Sequence, residues 1–200
     1  RVEMVDGQKR LVAQHGQAEV VIPFDQLLCA VGRSPRVAGY GLEELGIPLT
    51  PRKTIETNAY LQTLYPNIYA VGDVAGPYQF THTAAHQAWY AAVNALFGRW
   101  RKFKADYRVI PWATFTDPEI AHVGLYEHAA DAQGIAIDTY TVHFDENDRA
   151  MADGEEEGFV KVHTKKGTDK ILGATIVARQ AGDMINEITL AMVAGIGLKT

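Results

Sequence analysis

Ile68-Tyr69-Ala70-Val71-Gly72-Asp73-Val74-Ala75-Gly76 is the stretch whose reading decides the fold. A short apolar strand runs into Gly-Asp, and an alanine-rich helical pattern begins near Thr81. A carboxylate at the carboxyl end of a buried strand, facing a helix N-terminus, suits a nucleotide or a flavin ribityl chain. Gly72 lets a ligand approach the backbone closely. Asp73 can accept hydrogen bonds from sugar-like hydroxyls.

Downstream, Ala85, Ala88, Trp89, Ala92 and Leu96 recur at helical spacing and predict one apolar face. Thr81 is the expected N-cap and Gly98 the expected stop. Upstream, residues 36–67 read as irregular, with Leu42 to Gly46 a single helical turn closed by glycine. The first thirty residues read as a β-meander with a turn at Asp6-Gly7. Asp25 to Val31 is nearly all apolar, as expected of a strand covered on both faces. Cys29 lies inside it and is read as a small buried hydrophobe rather than a reactive thiol.

Arg99-Trp100-Arg101-Lys102-Phe103-Lys104 is the most basic stretch and reads as a solvated linker with two aromatic anchors. Beyond it the pattern is antiparallel α+β. Thr114 to Thr116, a turn at Asp117-Pro118-Glu119, and Ile120 to Val123 come first. A helix is predicted from Leu125 to Gln133 and a strand from Ile137 to Phe144. A loop follows from Asp145 to Gly158, then a hairpin of Phe159–His163 and Leu172–Ala178. Met184, Ile185, Ile188, Ala191 and Met192 mark a last amphipathic helix, with Asp183 near its N-cap and Gly195 near its end.

The 200 residues carry a net charge of −5, which offers no electrostatic case for binding nucleic acid, DNA included, or an anionic membrane. No apolar run approaches the ~18 residues of a membrane span. One cysteine cannot form an internal disulfide, so the cytoplasm is the expected compartment. The chain starts at Arg1 and is expected to be a piece of a longer polypeptide. His82 and His86, four apart on a helix, have a spacing that can ligate zinc, but no third ligand is evident and no metal site is expected. His122, His143 and His163 read as surface or half-buried strand residues. No G-x-S-x-G, P-loop, C-x-x-C or G-x-G-x-x-G occurs.

Three ordered blocks carry a resemblance. They are Leu27 to Pro35 (LLCAVGRSP), Ile68 to Gly76 (IYAVGDVAG) and Phe115 to Gly124 (FTDPEIAHVG). Together they resemble the FAD-dependent pyridine nucleotide-disulfide oxidoreductases, with Asn147 to Ala150 closest to the dihydrolipoamide dehydrogenase and mercuric reductase branches. The resemblance implies a mixed α/β and α+β fold. Residues 1–34 would end an NAD(P)-binding domain and 35–107 would be the C-terminal part of an FAD-binding domain. Residues 108–200 would be an antiparallel α+β dimerisation domain lacking its C-terminal end.

It also implies roles. Gly32 matches a position against the nicotinamide dinucleotide. Asp73, with Gly72 before it, matches the carboxylate that bonds the FAD ribityl hydroxyls. Phe80, Thr81, His82 and Thr83 match the helix start near the flavin pyrimidine edge. Residues 108–200 would form a homodimer. The family's Cys-x4-Cys pair and glycine loops are absent here, and its His-Pro block would fall after Thr200. No catalytic residue is therefore expected in this chain. Arg36 stands where an Asn commonly follows Gly-Arg-x-Pro. The implied parent moves electrons from NAD(P)H via FAD to a disulfide or metal-ion acceptor, and the 200 residues alone are expected to be inactive. Two alternatives are a non-enzymatic dimerisation module and a disulfide-free flavoprotein of the transhydrogenase or NADH oxidase type.

Overall fold

The computed structural model describes residues 1–199. The chain divides into two compact units, 1–36 and 37–200, of which Thr200 lies outside the described residues. The first unit is an antiparallel meander of β1 (Val2–Val5), β2 (Gln8–His15) and β3 (Ala18–Pro23). Asp6 and Gly7 both take positive φ, 51° and 79°, the conformation a two-residue hairpin turn requires.

The apolar run 25–31 forms no strand, and Leu28 and Val31 are 89% and 92% exposed. A strand buried on both faces needs hydrogen-bonded neighbours on its edges and cover above and below. The three-stranded meander supplies none of these to it. Cys29 is accordingly exposed, not buried as the sequence suggested.

The second unit holds two apolar cores. One gathers Leu42, Ile47, Ile55 and Ala70 under irregular loops. Residues 68–71 are extended here but join no ladder: Tyr69 makes one isolated bridge to Gln62, and Ala70 N–H donates to Leu61 C=O at 3.1 Å. The expected strand is thus a tethered segment, and Gly72–Val74 closes it with a tight helical turn.

Helix α1 (Thr81–Phe97) follows, with Phe80 rather than Thr81 at the N-cap and Gly98 at the C-cap. Its buried face is not the alanine face. Thr83, Gln87 and Asn94 are buried, whereas Ala85, Ala88, Trp89, Ala92 and Leu96 are exposed. In the basic stretch, Trp100 is 81% exposed, while Phe103 packs edge-on to Trp89 and is the real anchor.

The other core lies between a five-stranded antiparallel sheet and α4 (Ala181–Ala194). The sheet runs β4 (Trp112–Thr114), β5 (Glu119–Gly124), β8 (Ile171–Ala178), β7 (Phe159–Lys165), β6 (Ile137–His143). Ala121, Val123, Ala174 and Ile176 alternate onto the face under Ile185 of α4. Helix α2 (Glu127–Ala132) ends before Gly134, as expected.

The predicted loop 145–158 contains a short helix, α3 (Asp148–Asp153). The Asn147 side chain caps it, accepting from Arg149 and Ala150 N–H, and Gly154 ends it in the left-handed region. At α4 the N-cap is Gln180, and Asp183 sits in the first turn. No helix among the described residues is long and apolar enough to cross a membrane.

Candidate functional site

The Gly72–Asp73 turn packs against the first turns of α1. Gly72 is buried at φ +77°, a region that side chains with a Cβ rarely adopt. A Cβ placed there would stand 3.2 Å from the Ala84 Cβ, so the close approach that glycine permits is that of α1. Asp73, next in the turn, is half-buried.

No side chain caps α1, so its N-terminus keeps the positive end of a 17-residue helix and the donor groups of its first turn. Thr81 and His82 are exposed there and Phe80 is half-buried. Thr83 has no exposed surface, and its hydroxyl finds no hydrogen-bond partner among the described residues. Of these four positions, Phe80, Thr81 and His82 keep some surface at the helix start and the Thr83 side chain keeps none. The Phe80 ring is stacked between Tyr78 and His82, with centroids 6.0 and 5.3 Å away.

The two histidines that suggested a metal pair are used otherwise. His82 Nε2 donates to Pro111 C=O at 2.8 Å and His86 Nε2 to Asp106 C=O at 2.7 Å. A carbonyl only accepts, so each of these nitrogens carries its proton. The Gln87 carboxamide reaches both ends of the Gly72–Gly76 turn and the Tyr107 hydroxyl. Side chains of α1 thus tie the Gly72–Gly76 turn to the segment 106–111. Burial pushes the Tyr107 hydroxyl up, opposed by its hydrogen bond with Gln87. Among the described residues no cluster of three metal-ligating side chains occurs.

Sequence reasoning missed Gln87, Asn94 and Tyr107. The signal available was that Thr83, Gln87 and Asn94 share a helical face; the opposite, alanine-rich face was more conspicuous. Gly32 lies in the 1–36 unit, exposed and at φ +109°. Gly72, Asp73, Phe80, Thr81, His82 and Thr83 are all in the larger unit.

His122 and His163 differ from expectation: both are 2% exposed. His122 Nε2 donates to Gly124 C=O at 3.0 Å, which leaves Nδ1 to accept from the Thr175 hydroxyl at 2.9 Å. Its ring stacks on Tyr126, centroids 3.5 Å apart. His163 Nδ1 pairs with the Thr139 hydroxyl at 3.0 Å. Burial lowers the pKa of both imidazoles. His143 is exposed.

Fold and site together define a class: the meeting of a Gly-Asp turn with an uncapped helix start, followed by an antiparallel sheet with one helix across it. The comparisons agree. Residues 1–88 match the pyridine nucleotide-disulphide oxidoreductase family model, and residues 110–200 match that family's dimerisation domain. The chain belongs to the pyridine nucleotide-disulphide oxidoreductase family.

Its relatives include mitochondrial dihydrolipoyl dehydrogenases. That of Mesocricetus auratus is 40% identical over 180 residues, covering 90% of this chain and 37% of the relative. That of Homo sapiens is 39% identical over 180 residues, covering 90% and 35%. Among solved structures, the HOCl-induced flavoprotein disulfide reductase RclA from Escherichia coli superposes with a TM-score of 0.80 at 28% identity. That match covers 98% of this chain and 44% of RclA. LpdA from Mycobacterium tuberculosis has a TM-score of 0.78 at 28% identity, over 96% of this chain and 43% of its own. The chain spans little more than a third of the length of the curated relatives it matches, 35% and 37% for these two.

Proposed function

We propose that this chain supplies one side of an FAD site and a dimerisation surface to a flavoprotein. That flavoprotein passes electrons from NAD(P)H through FAD to a disulfide or metal-ion acceptor. The observation that carries the reading is the juxtaposition of the Gly72–Asp73 turn with the uncapped start of α1.

The donor and acceptor chemistry fits the cofactor. Asp73 offers an acceptor-only carboxylate to ribityl hydroxyls. Thr81 and His82 present helix N–H groups and a positive dipole end to the electron-rich pyrimidine edge. When bound, FAD supplies the hydride and electron-transfer chemistry. The chain's own residues bind and orient: Asp73 holds the sugar-like chain, and the Phe80–His82 stack borders the helix start. Gly32, exposed on its own unit, is the proposed nicotinamide dinucleotide contact. No residue here is proposed as nucleophile or proton donor.

A homodimer through residues 108–200 is supported by the dimerisation-domain match and by the apolar surface of α4. Leu190 and Val193 there are 67% and 68% exposed. The test uses the complete gene product. It is expected to purify with, or take up, FAD seen by its visible flavin absorbance, and Asp73→Ala is expected to weaken FAD at least about tenfold. Acceptor trials with lipoamide, glutathione disulfide and metal ions under NADH and NADPH then assign the substrate. A protein that takes up no flavin, or an Asp73→Ala variant that binds FAD as tightly as the wild type, would overturn the proposal.

A further inference from the structure

The turn that carries Asp73 runs from Gly72 to Gly76, and no β-ladder holds either end. Within it, Gly72 C=O accepts from Ala75 N–H at 2.9 Å and Gly76 N–H at 3.1 Å. From outside, Gln87 grips both ends. Gly72 N–H donates to Gln87 Oε1 at 2.5 Å, and Nε2 donates to Gly76 C=O at 2.6 Å. The second Nε2 hydrogen goes to the Tyr107 hydroxyl at 2.9 Å. Gly72 N–H can only donate and Gly76 C=O can only accept, so the carboxamide has a single orientation. Gln87 has no exposed surface, so water does not compete for these bonds.

Asn94, seven residues on along the same buried face, makes equally complete bonds to other segments. It donates to Phe103 C=O at 2.8 Å and accepts from Phe103 N–H at 2.8 Å. It also donates to Tyr60 C=O at 3.3 Å. None of these hydrogen bonds goes to residues 72–76, which makes Asn94 a control within the same helix.

We propose that Gln87 is a positioning residue of the cofactor site. Its carboxamide sets the backbone of the Gly72–Gly76 turn, from which the Asp73 carboxylate meets the ribityl hydroxyls. The inference rests on the FAD reading above. Gln87→Glu keeps the size and the acceptor for Gly72 but cannot donate to Gly76, and sets oxygen against carbonyl oxygen. Gln87→Leu strips both partners and leaves buried backbone groups unpaired.

The experiment measures FAD affinity of the complete gene product by flavin fluorescence, with thermal unfolding recorded alongside. Gln87→Glu and Gln87→Leu are each expected to weaken FAD about tenfold, equivalent to about 1.4 kcal/mol. In an Asp73→Ala background the same substitutions are expected to cost less than about twofold, because the group they position is gone. Asn94→Leu is expected to lower the melting temperature and leave FAD affinity within about twofold.

Gln87 variants that bind FAD like the wild type, while Asp73→Ala does not, would overturn the role of Gln87 alone. An equal loss with and without the Asp73 carboxylate would overturn it too, since the effect would then be general destabilisation. An Asp73→Ala variant with unchanged affinity would sink the FAD reading and this inference together.

Discussion

Gly124 and Gly173 face each other across β5 and β8, where the chain leaving β5 at Leu125 folds back onto Leu172. Leu125 N–H donates to Leu172 C=O there at 2.9 Å. Gly124→Ala meets two separate penalties. The first is conformational: φ is +79°, and a Cβ in the left-handed region costs about 1–2 kcal/mol. The second is steric. The new Cβ would fall on the Leu172 carbonyl oxygen, 2.9 Å from Gly173 Cα and 2.8 Å from Met192 Cε. Met192 can swing away, but the other two are backbone of a paired strand, so the ladder itself must move. Overpacking of that kind costs about 1–3 kcal/mol.

The sum is about 2–5 kcal/mol, and the steric part can be isolated. Gly134 has φ +66° and nothing within 4 Å of its Cβ position, so Gly134→Ala bears the conformational cost alone, about 1–2 kcal/mol. Urea or guanidinium unfolding reports both variants as shifts in midpoint at constant slope. Gly124→Ala is expected to lose more stability than Gly134→Ala by at least about 1 kcal/mol. Equal losses would show that the β5–β8 contact is not the constraint described here.

Other expectations concern the same unit. His122 and His163 have folded-state pKa values lowered by burial, so both stay neutral in the fold. Their contribution to stability is complete above the unfolded histidine value of about 6.5 and is lost as pH falls below it. Unfolding midpoints should therefore drop between about pH 7 and 5, and His163→Gln should flatten that slope; an unchanged slope in the variant refutes the assignment. Asp106 has its pKa held down to about 2, first by the Arg108 side-chain hydrogen bond. Arg108→Ala should return it towards 3.8, seen by NMR titration, so that Asp106 titrates higher in acid. The pair is largely exposed, so solvent screens it and stability at neutral pH should barely change. Ile185→Ala, at a site 2% exposed on the sheet-facing side of α4, should cost about 2–5 kcal/mol by thermal unfolding. Leu190→Ala, on the exposed face of the same helix, should stay within about 0.5 kcal/mol in the monomer.

Much of the architecture was legible because its causes are local. The Asp6-Gly7 turn, the β7–β8 hairpin and the glycines that end α2 and α4 need only the conformational freedom of a residue and its immediate neighbours. The short helix α3 was legible in principle, with Asn147 before it and Gly154 after it, but its six residues are lost in an acidic stretch. Gly72-Asp73 next to a helix start was readable for the same reason, since the two lie within ten residues of each other.

The sequence by itself therefore determined the family blocks, the element order beyond residue 108 apart from α3, and the residue types at the Gly72–Asp73 turn. Tertiary structure alone decided which surfaces are inside. It turned the polar face of α1 inward, because Gln87 and Asn94 find complete hydrogen bonds on residues 60, 72, 76, 103 and 107. It buried His122 and His163, for which Thr175 and Thr139 supply partners 53 and 24 residues away. It left the apolar run 25–31 exposed, since no strand among the described residues pairs with it. Hydrophobic spacing records only what a segment could bury. Whether it does so depends on what the rest of the chain brings to it, and a buried polar group is stable only where distant residues satisfy its hydrogen bonds.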